Sequence, residues 1–123
     1  MKRRKPIWIT ERDVLAIHDR LLAAHGGSLG LRDKGLLQSA LARPLQHHAY
    51  AGQPDVIEMA MLYTSGIVRN HPFVDGNKRT GFVTGVLFLE LNGFIFVASE
   101  EDATQAVFGL AGGSLDDAYA VAQ

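Results

Sequence analysis

Residues 69–82 read RNHPFVDGNKRTGF, so one imidazole, one carboxylate, three cations and two glycines share a short polar window. A glycine turn that leads into a helix presents backbone N–H groups at the helix start, where the dipole also favours negative charge. Gly76 and Asn77 stand at such a start, and Lys78 and Arg79 add formal positive charge beside it. These are the parts of a phosphate-binding nest. Asp75, one residue upstream, could hold a Mg²⁺ ion that bridges phosphate oxygens, because this hard cation is usually bound by carboxylate, phosphate and water together. His71 lies on the same stretch, and an imidazole can take a proton from an attacking hydroxyl, an effect worth roughly 10² to 10⁴ in rate.

Two familiar alternatives fail on spacing. The interval from Gly76 to Gly81 fits the first half of a P-loop, but Phe82 and Val83 stand where that motif needs lysine and a hydroxyl residue. None of His18, His25, His47, His48 and His71 falls in an H-E-x-x-H arrangement, and there is no cysteine, so neither a zinc-protease helix, a thiolate zinc site nor a cysteine nucleophile is available. Residue chemistry alone leaves two readings open: nucleotide-dependent transfer to a hydroxyl, or a polar connection that only caps its own helices.

The window must be held by the segments on either side. Pro54 with Asp55 and Glu58 predicts the start of a helix at a proline first-turn position, nearly apolar all round from Val56 to Val68, ending near Asn70 and His71 because Pro72 follows. After Gly76 a second buried helix is expected, with Phe82, Val83, Val86, Leu87, Leu89 and Leu91 apolar and Asn92-Gly93 as its stop. Upstream, Thr10 and Asp13 predict a capped helix carrying Val14, Leu15, His18, Leu21 and Leu22, which stops at Gly26-Gly27. Asp33 then caps a helix with Leu36, Leu37, Ala40 and Leu41 in a stripe, ended by Pro44, and HHAYAGQP reads as a connection. The segment FIFVA has strand composition and could pair with PIWIT, while Ser99 and Ser114 each begin a further capped helix.

Composition bounds the rest. A chain of 123 residues with 47% hydrophobic and 20% charged residues suits one globular domain, residues 1–123, with no repeat or linker. The net charge of -1 argues against direct nucleic-acid binding through phosphates. Thr84, Glu90 and Asn92-Gly93 interrupt residues 81–98 short of the roughly 20 a bilayer span requires, so no membrane association is expected. The absence of cysteine is compatible with a reducing, cytoplasmic setting, and MKRRKPIW lacks the apolar run of a secretory signal. His18 is expected to be a hydrogen-bonded core histidine. His47 and His48 are expected at the surface, Tyr50 and Tyr63 in packing, and Arg32 as a solvated neighbour of the capping Asp33.

HPFVDGNKRT closely resembles the signature loop of the Fic/Doc family, H-P-F-x-[DE]-G-N-[GK]-R, at nearly every specified position in contiguous order. GLRDKGLLQSALARP, the flanking apolar helices and the length are similar to the Doc (death-on-curing) branch. The resemblance implies a small all-α bundle with at most a two-stranded β ribbon, and a loop that binds Mg²⁺ and ATP at the following helix. By matching position, His71 would be the general base, Asp75 the Mg²⁺ ligand, and Gly76, Asn77, Lys78 and Arg79 phosphate-binding residues. Phe73 would anchor the loop, and Arg69, just before the motif, is a further phosphate-contact candidate. Most members have glycine where Lys78 stands and transfer AMP to a hydroxyl. Doc-type members carry lysine and resemble protein kinases that phosphorylate a threonine of elongation factor Tu and arrest translation. A side chain and an extra cation at that subsite would alter how the triphosphate lies, which makes Lys78 the residue that selects the reaction. No glutamate here precedes Gly or Asn, so the inhibitory helix of many Fic proteins is missing. A Phd-like antitoxin, folding a helix into a groove on the domain, would inhibit in its place. AMP transfer, and a catalytically idle binding domain, are the rival functions.

Overall fold

The computed structural model describes residues 5–52 and 54–95, which form an all-α bundle of helices α1 (Glu11–His25), α2 (Lys34–Ala51), α3 (Val56–Asn70) and α4 (Asn77–Leu91). α3 is the central element, packed mainly between α2 and α4, and α1 lies against α4. The expected helices after Ser99 and Ser114 fall outside the described residues.

α1 begins with a full capping box. Asp13 N–H donates to Thr10 Oγ1 at 3.2 Å and Thr10 N–H returns to Asp13 Oδ2 at 2.9 Å, which satisfies two of the donors a helix start leaves open. Val14, His18 and Leu22, one helical turn apart, form the buried stripe, and Gly26 ends the helix with its N–H on Leu22 O. Asp33 caps α2 through Leu36 N–H at 2.9 Å.

Two expectations about boundaries are corrected. α2 does not stop at Pro44 but runs through it to Ala51. A proline deletes one N–H and crowds one carbonyl, but here its ring is fully buried, and the turns beyond it are tied down from outside. His47 Nε2 meets Glu58 Oε2 of α3 at 3.1 Å, and His48 sets its edge on Trp8 with ring centroids 5.4 Å apart. Pro54 precedes α3 rather than occupying its first turn, because Asp55 takes the N-cap with its carboxylate on Ile57 N–H. As for the ribbon, residues 6–10, Phe94 and Ile95 are not strand, and residues 96–98 lie outside the described residues. The Asn92 side chain does the pairing, accepting from Ile7 N–H at 2.8 Å and donating to Ile7 O at 3.0 Å.

The seam between α3 and α4 is built of small residues. α4 buries Asn77, Thr80, Gly81, Thr84, Gly85, Phe88 and Leu89, whereas Phe82, Val83, Val86 and Leu87 are only partly covered and Leu91 is exposed. A Cβ on Gly81 would lie 3.0 Å from Thr64 O, and one on Gly85 would lie 3.0 Å from Ala60 O and against Thr64 Oγ1. The two backbones therefore approach more closely than side chains would allow, and Thr64 Oγ1 donates to Gly81 O at 2.8 Å across the seam. Beneath it, Tyr63, Ile67, Phe73 and Phe88 fill the core. The Tyr63 hydroxyl accepts from Ile9 N–H at 3.1 Å, and burial pushes its pKa up, with the Asp13 charge adding to the shift and the Ile9 hydrogen bond opposing it. No helix among the described residues is long and apolar enough to cross a membrane.

Candidate active site

The window of residues 71–76 bridges the end of α3 and the start of α4, and its shape follows from its sequence. Pro72 prevents α3 from continuing, and His71 takes the left-handed conformation at the C-cap, with φ 52° and its N–H on Ile67 O. Gly76 takes φ 79° at the N-cap of α4, where a side chain would be strained, and no side chain caps this end. Between them Phe73 is buried as the anchor expected of it, its ring stacked on His18 with centroids 3.8 Å apart and planes 9° apart.

Asn77 ties the turn together. Its Oδ1 accepts from Phe73 N–H at 2.9 Å, and its Nδ2 donates to Phe73 O at 2.9 Å and to His71 Nδ1 at 3.1 Å. The amide is buried and fully used inside the loop, so what Asn77 can offer an anion is its backbone N–H. The same bonds orient His71. Phe73 fixes which end of the amide is nitrogen, so Nδ1 is the acceptor and the neutral ring carries its proton on Nε2. Either ring nitrogen takes up a hydroxyl proton only when this contact opens: Nδ1 because it is occupied, Nε2 because it holds the ring proton.

All seven residues singled out in the sequence line one open cavity of about 650 Å³: Arg69, His71, Asp75, Gly76, Asn77, Lys78 and Arg79, with Val68 as its apolar wall. Three cations face a single carboxylate there, at the positive end of the α4 dipole, which favours an anionic ligand. Asp75 is exposed, with Oδ1 accepting from Gly76 N–H at 2.8 Å and Oδ2 from Ser28 N–H at 3.1 Å. Among the described residues no three His, Asp or Glu side chains converge as a metal cluster. Among the described residues Asp75 is the one hard-oxygen side chain lining the cavity, and such a donor beside three cations fits Mg²⁺, which keeps most of its shell as water and phosphate.

Three contributors to the site were not found in the sequence, and a fourth, Arg32, was given the simpler reading of a solvated residue over that of a contact at the site. His18 was expected in the core and is there, but its Nε2–H also donates to Asp75 O at 2.8 Å. His25 Nε2 accepts from Arg79 Nη1 at 2.7 Å. Ser28 supplies the amide on Asp75. Arg32, expected to be solvated, instead donates through Nε to His71 O at 2.8 Å and through Nη2 to Asn70 O at 3.1 Å, closing the carbonyl end of α3. Its backbone N–H and that of Asp33 share Pro72 O, and Val74 N–H reaches Gly30 O, so residues 30–33 form a strap across the loop. His18 sits about two turns into α1 and His25 is its last residue, and only a contact across the fold gives them meaning; no local signal marks them.

A model of the Fic/DOC family matches residues 8–89, which include α1 to α4 almost entirely and the whole loop. The chain belongs to the Fic/DOC family. Within it, the chain is similar to protein kinase doc of Escherichia phage P1, 33% identical over 99 residues that cover 80% of this chain and 79% of that protein. It is also similar to toxin Doc of Mycolicibacterium smegmatis, 40% identical over 85 residues that cover 68% of this chain and 64% of the relative. The Fic/DOC match spans the helices that form the cavity as well as the loop that lines it.

Proposed function

We propose that this protein is a Doc-like toxin of a toxin–antitoxin module and a Mg²⁺- and ATP-dependent protein kinase. It transfers the γ-phosphate to a threonine of elongation factor Tu, arrests translation in the cytoplasm, and is restrained by a Phd-like antitoxin. The observation that carries this reading is the convergence of His71, Asp75, Lys78 and Arg79 on one cavity at the uncapped start of α4. The kinase and toxin names of the two relatives support the reaction and the setting.

In the proposed reaction the target hydroxyl oxygen forms a bond to the γ-phosphorus, the bond from that phosphorus to the β,γ-bridging oxygen breaks, and ADP leaves. His71 takes the hydroxyl proton, after the Asn77 contact opens. Lys78, Arg79 and Arg69 with the first-turn amides of α4 orient the phosphates and oppose the charge that develops on them. Asp75 would hold Mg²⁺, which would supply neutralisation of phosphate charge when bound. Lys78 carries the choice of γ- over α-phosphorus, a reading supported by its place in the lining of the cavity.

Purified protein incubated with γ-labelled or α-labelled ATP and a cell extract tests the proposal. Label from γ alone on one band of the size of elongation factor Tu is expected, and His71→Ala lowers the rate roughly 10² to 10⁴-fold. Label from the α position would mean AMP transfer, and no label from either would leave a binding domain.

A further inference from the structure

The turn that follows α1 touches the chemistry of the loop at one atom. Asp75 Oδ2 accepts from Ser28 N–H at 3.1 Å, while Oδ1 is held by Gly76 N–H, so the carboxylate is fixed from both sides by backbone amides of different segments. Gly27 makes this approach possible. A Cβ placed there would lie 2.8 Å from Asp75 Oδ2 and 2.9 Å from Leu22 Cδ2, closer than any real contact. Its neighbour Gly26 also has positive φ, 80° against 123°, yet a Cβ there would meet nothing within 4 Å. A side chain would be strained at either glycine, and the two differ in whether its Cβ would press on Asp75.

We propose that the turn at residues 26–28 is a positioning element for the cation site: Ser28 N–H and the bare Cα of Gly27 set the rotamer of Asp75 and so decide which oxygen lone pairs face the cavity. The idea rests on Asp75 being the divalent-cation ligand. A carboxylate ligand whose orientation is fixed beforehand loses less freedom on binding, and groups that orient ligands typically change metal affinity by roughly 10 to 100-fold when removed. With Asp75 the one carboxylate lining the cavity among the described residues, the site depends on its orientation.

The experiment measures Mn²⁺ affinity by electron paramagnetic resonance in the presence of a non-hydrolysable ATP analogue, on the full chain. Gly27→Ala is expected to weaken Mn²⁺ roughly 10-fold or more, and Gly26→Ala to leave it near the original value. Ser28→Pro, which deletes the N–H, should weaken it similarly, and Ser28→Ala, which keeps the N–H, should not. Equal affinities for the Gly26 and Gly27 variants, with Ser28→Pro unchanged, would overturn the role of the turn while the cation site stood. If Asp75→Asn bound Mn²⁺ as tightly as the original chain, the cation reading itself would fall and this proposal with it.

Discussion

The loop is held from two sides that work differently. On the α3 side, α4 is fixed by close approach of small residues, with Gly81 and Gly85 against Thr64 and Ala60 and almost no room for a further atom. On the α1 side, Ser28 reaches the loop and His25 the first turn of α4 through single hydrogen bonds at exposed positions, and only His18 packs as well, stacking on Phe73 beside its bond to Asp75 O. A packed seam resists any change of volume, whereas individual hydrogen bonds at a wet surface contribute modestly to stability and mainly fix direction. The comparison implies that changes in the seam should unfold the protein and changes on the α1 side should leave it folded with altered ligand binding.

The sharpest way to break that contrast is Gly85→Leu. In a solvent-facing helix, replacing glycine would add stability, but here the first added atom already meets Thr64 Oγ1 and Ala60 O. A loss of about 3 kcal/mol, read as a lower midpoint in thermal or urea unfolding, is expected. A variant as stable as the original chain would mean that the seam is not tightly packed.

Asn77→Ala should come next, because it acts on both sides of the comparison. The buried N–H and C=O of Phe73 would lose their partners, at roughly 1–3 kcal/mol, and His71 would lose the contact that fixes its ring. Unfolding measures the first effect. Phosphoryl-transfer rates, compared at a temperature where the variant is folded, measure the second.

What the sequence revealed follows the same division. The motif from His71 to Arg79, the caps at Thr10 and Asp33, and the end of α3 at Pro72 are local: neighbouring residues in the chain interact, so spacing suffices to find them. The buried face of α4 was misjudged because hydropathy favours Phe82, Val83 and Val86 over Thr80, Gly81, Thr84 and Gly85, while the actual seam selects for smallness. The continuation of α2 past Pro44 depends on Glu58 and Trp8, which meet its last turns from other parts of the fold. His25, Ser28 and Arg32 act on atoms 54, 47 and about 38 residues away, and no local pattern encodes such pairings.

Tyr63→Phe tests the core below the seam. Ile9 N–H would lose its acceptor at a cost of about 1 kcal/mol near neutral pH. Because burial raises the Tyr63 pKa, the folded state holds this proton more tightly than the unfolded chain does. The stability linked to this buried, neutral hydroxyl is therefore complete below about pH 10, the unfolded value, and is lost as pH rises through the higher folded value. Unfolding followed across alkaline pH should fall less steeply for Tyr63→Phe than for the original chain. Parallel curves would show that Tyr63 ionises as freely in the fold as outside it.

The smallest effect is expected at His25, and it isolates the α1 side most cleanly. Arg79 Nη1 donates to His25 Nε2 at 2.7 Å, and both side chains are exposed, so removing the imidazole should leave the unfolding midpoint where it was. What changes is the direction in which the guanidinium is presented to the cavity. A nucleotide analogue should bind roughly two- to five-fold more weakly to His25→Ala, the range a single hydrogen bond can supply. Arg79→Ala alone should weaken binding more, since it removes the cation itself. The double variant decides whether the two act together: if His25 works only through Arg79, adding His25→Ala to Arg79→Ala has no further effect, and the coupling equals the whole loss seen for His25→Ala. Additive losses would mean that His25 meets the nucleotide directly, and a shifted unfolding midpoint would mean that the α1 side, like the seam, holds the fold together rather than aiming its ligands.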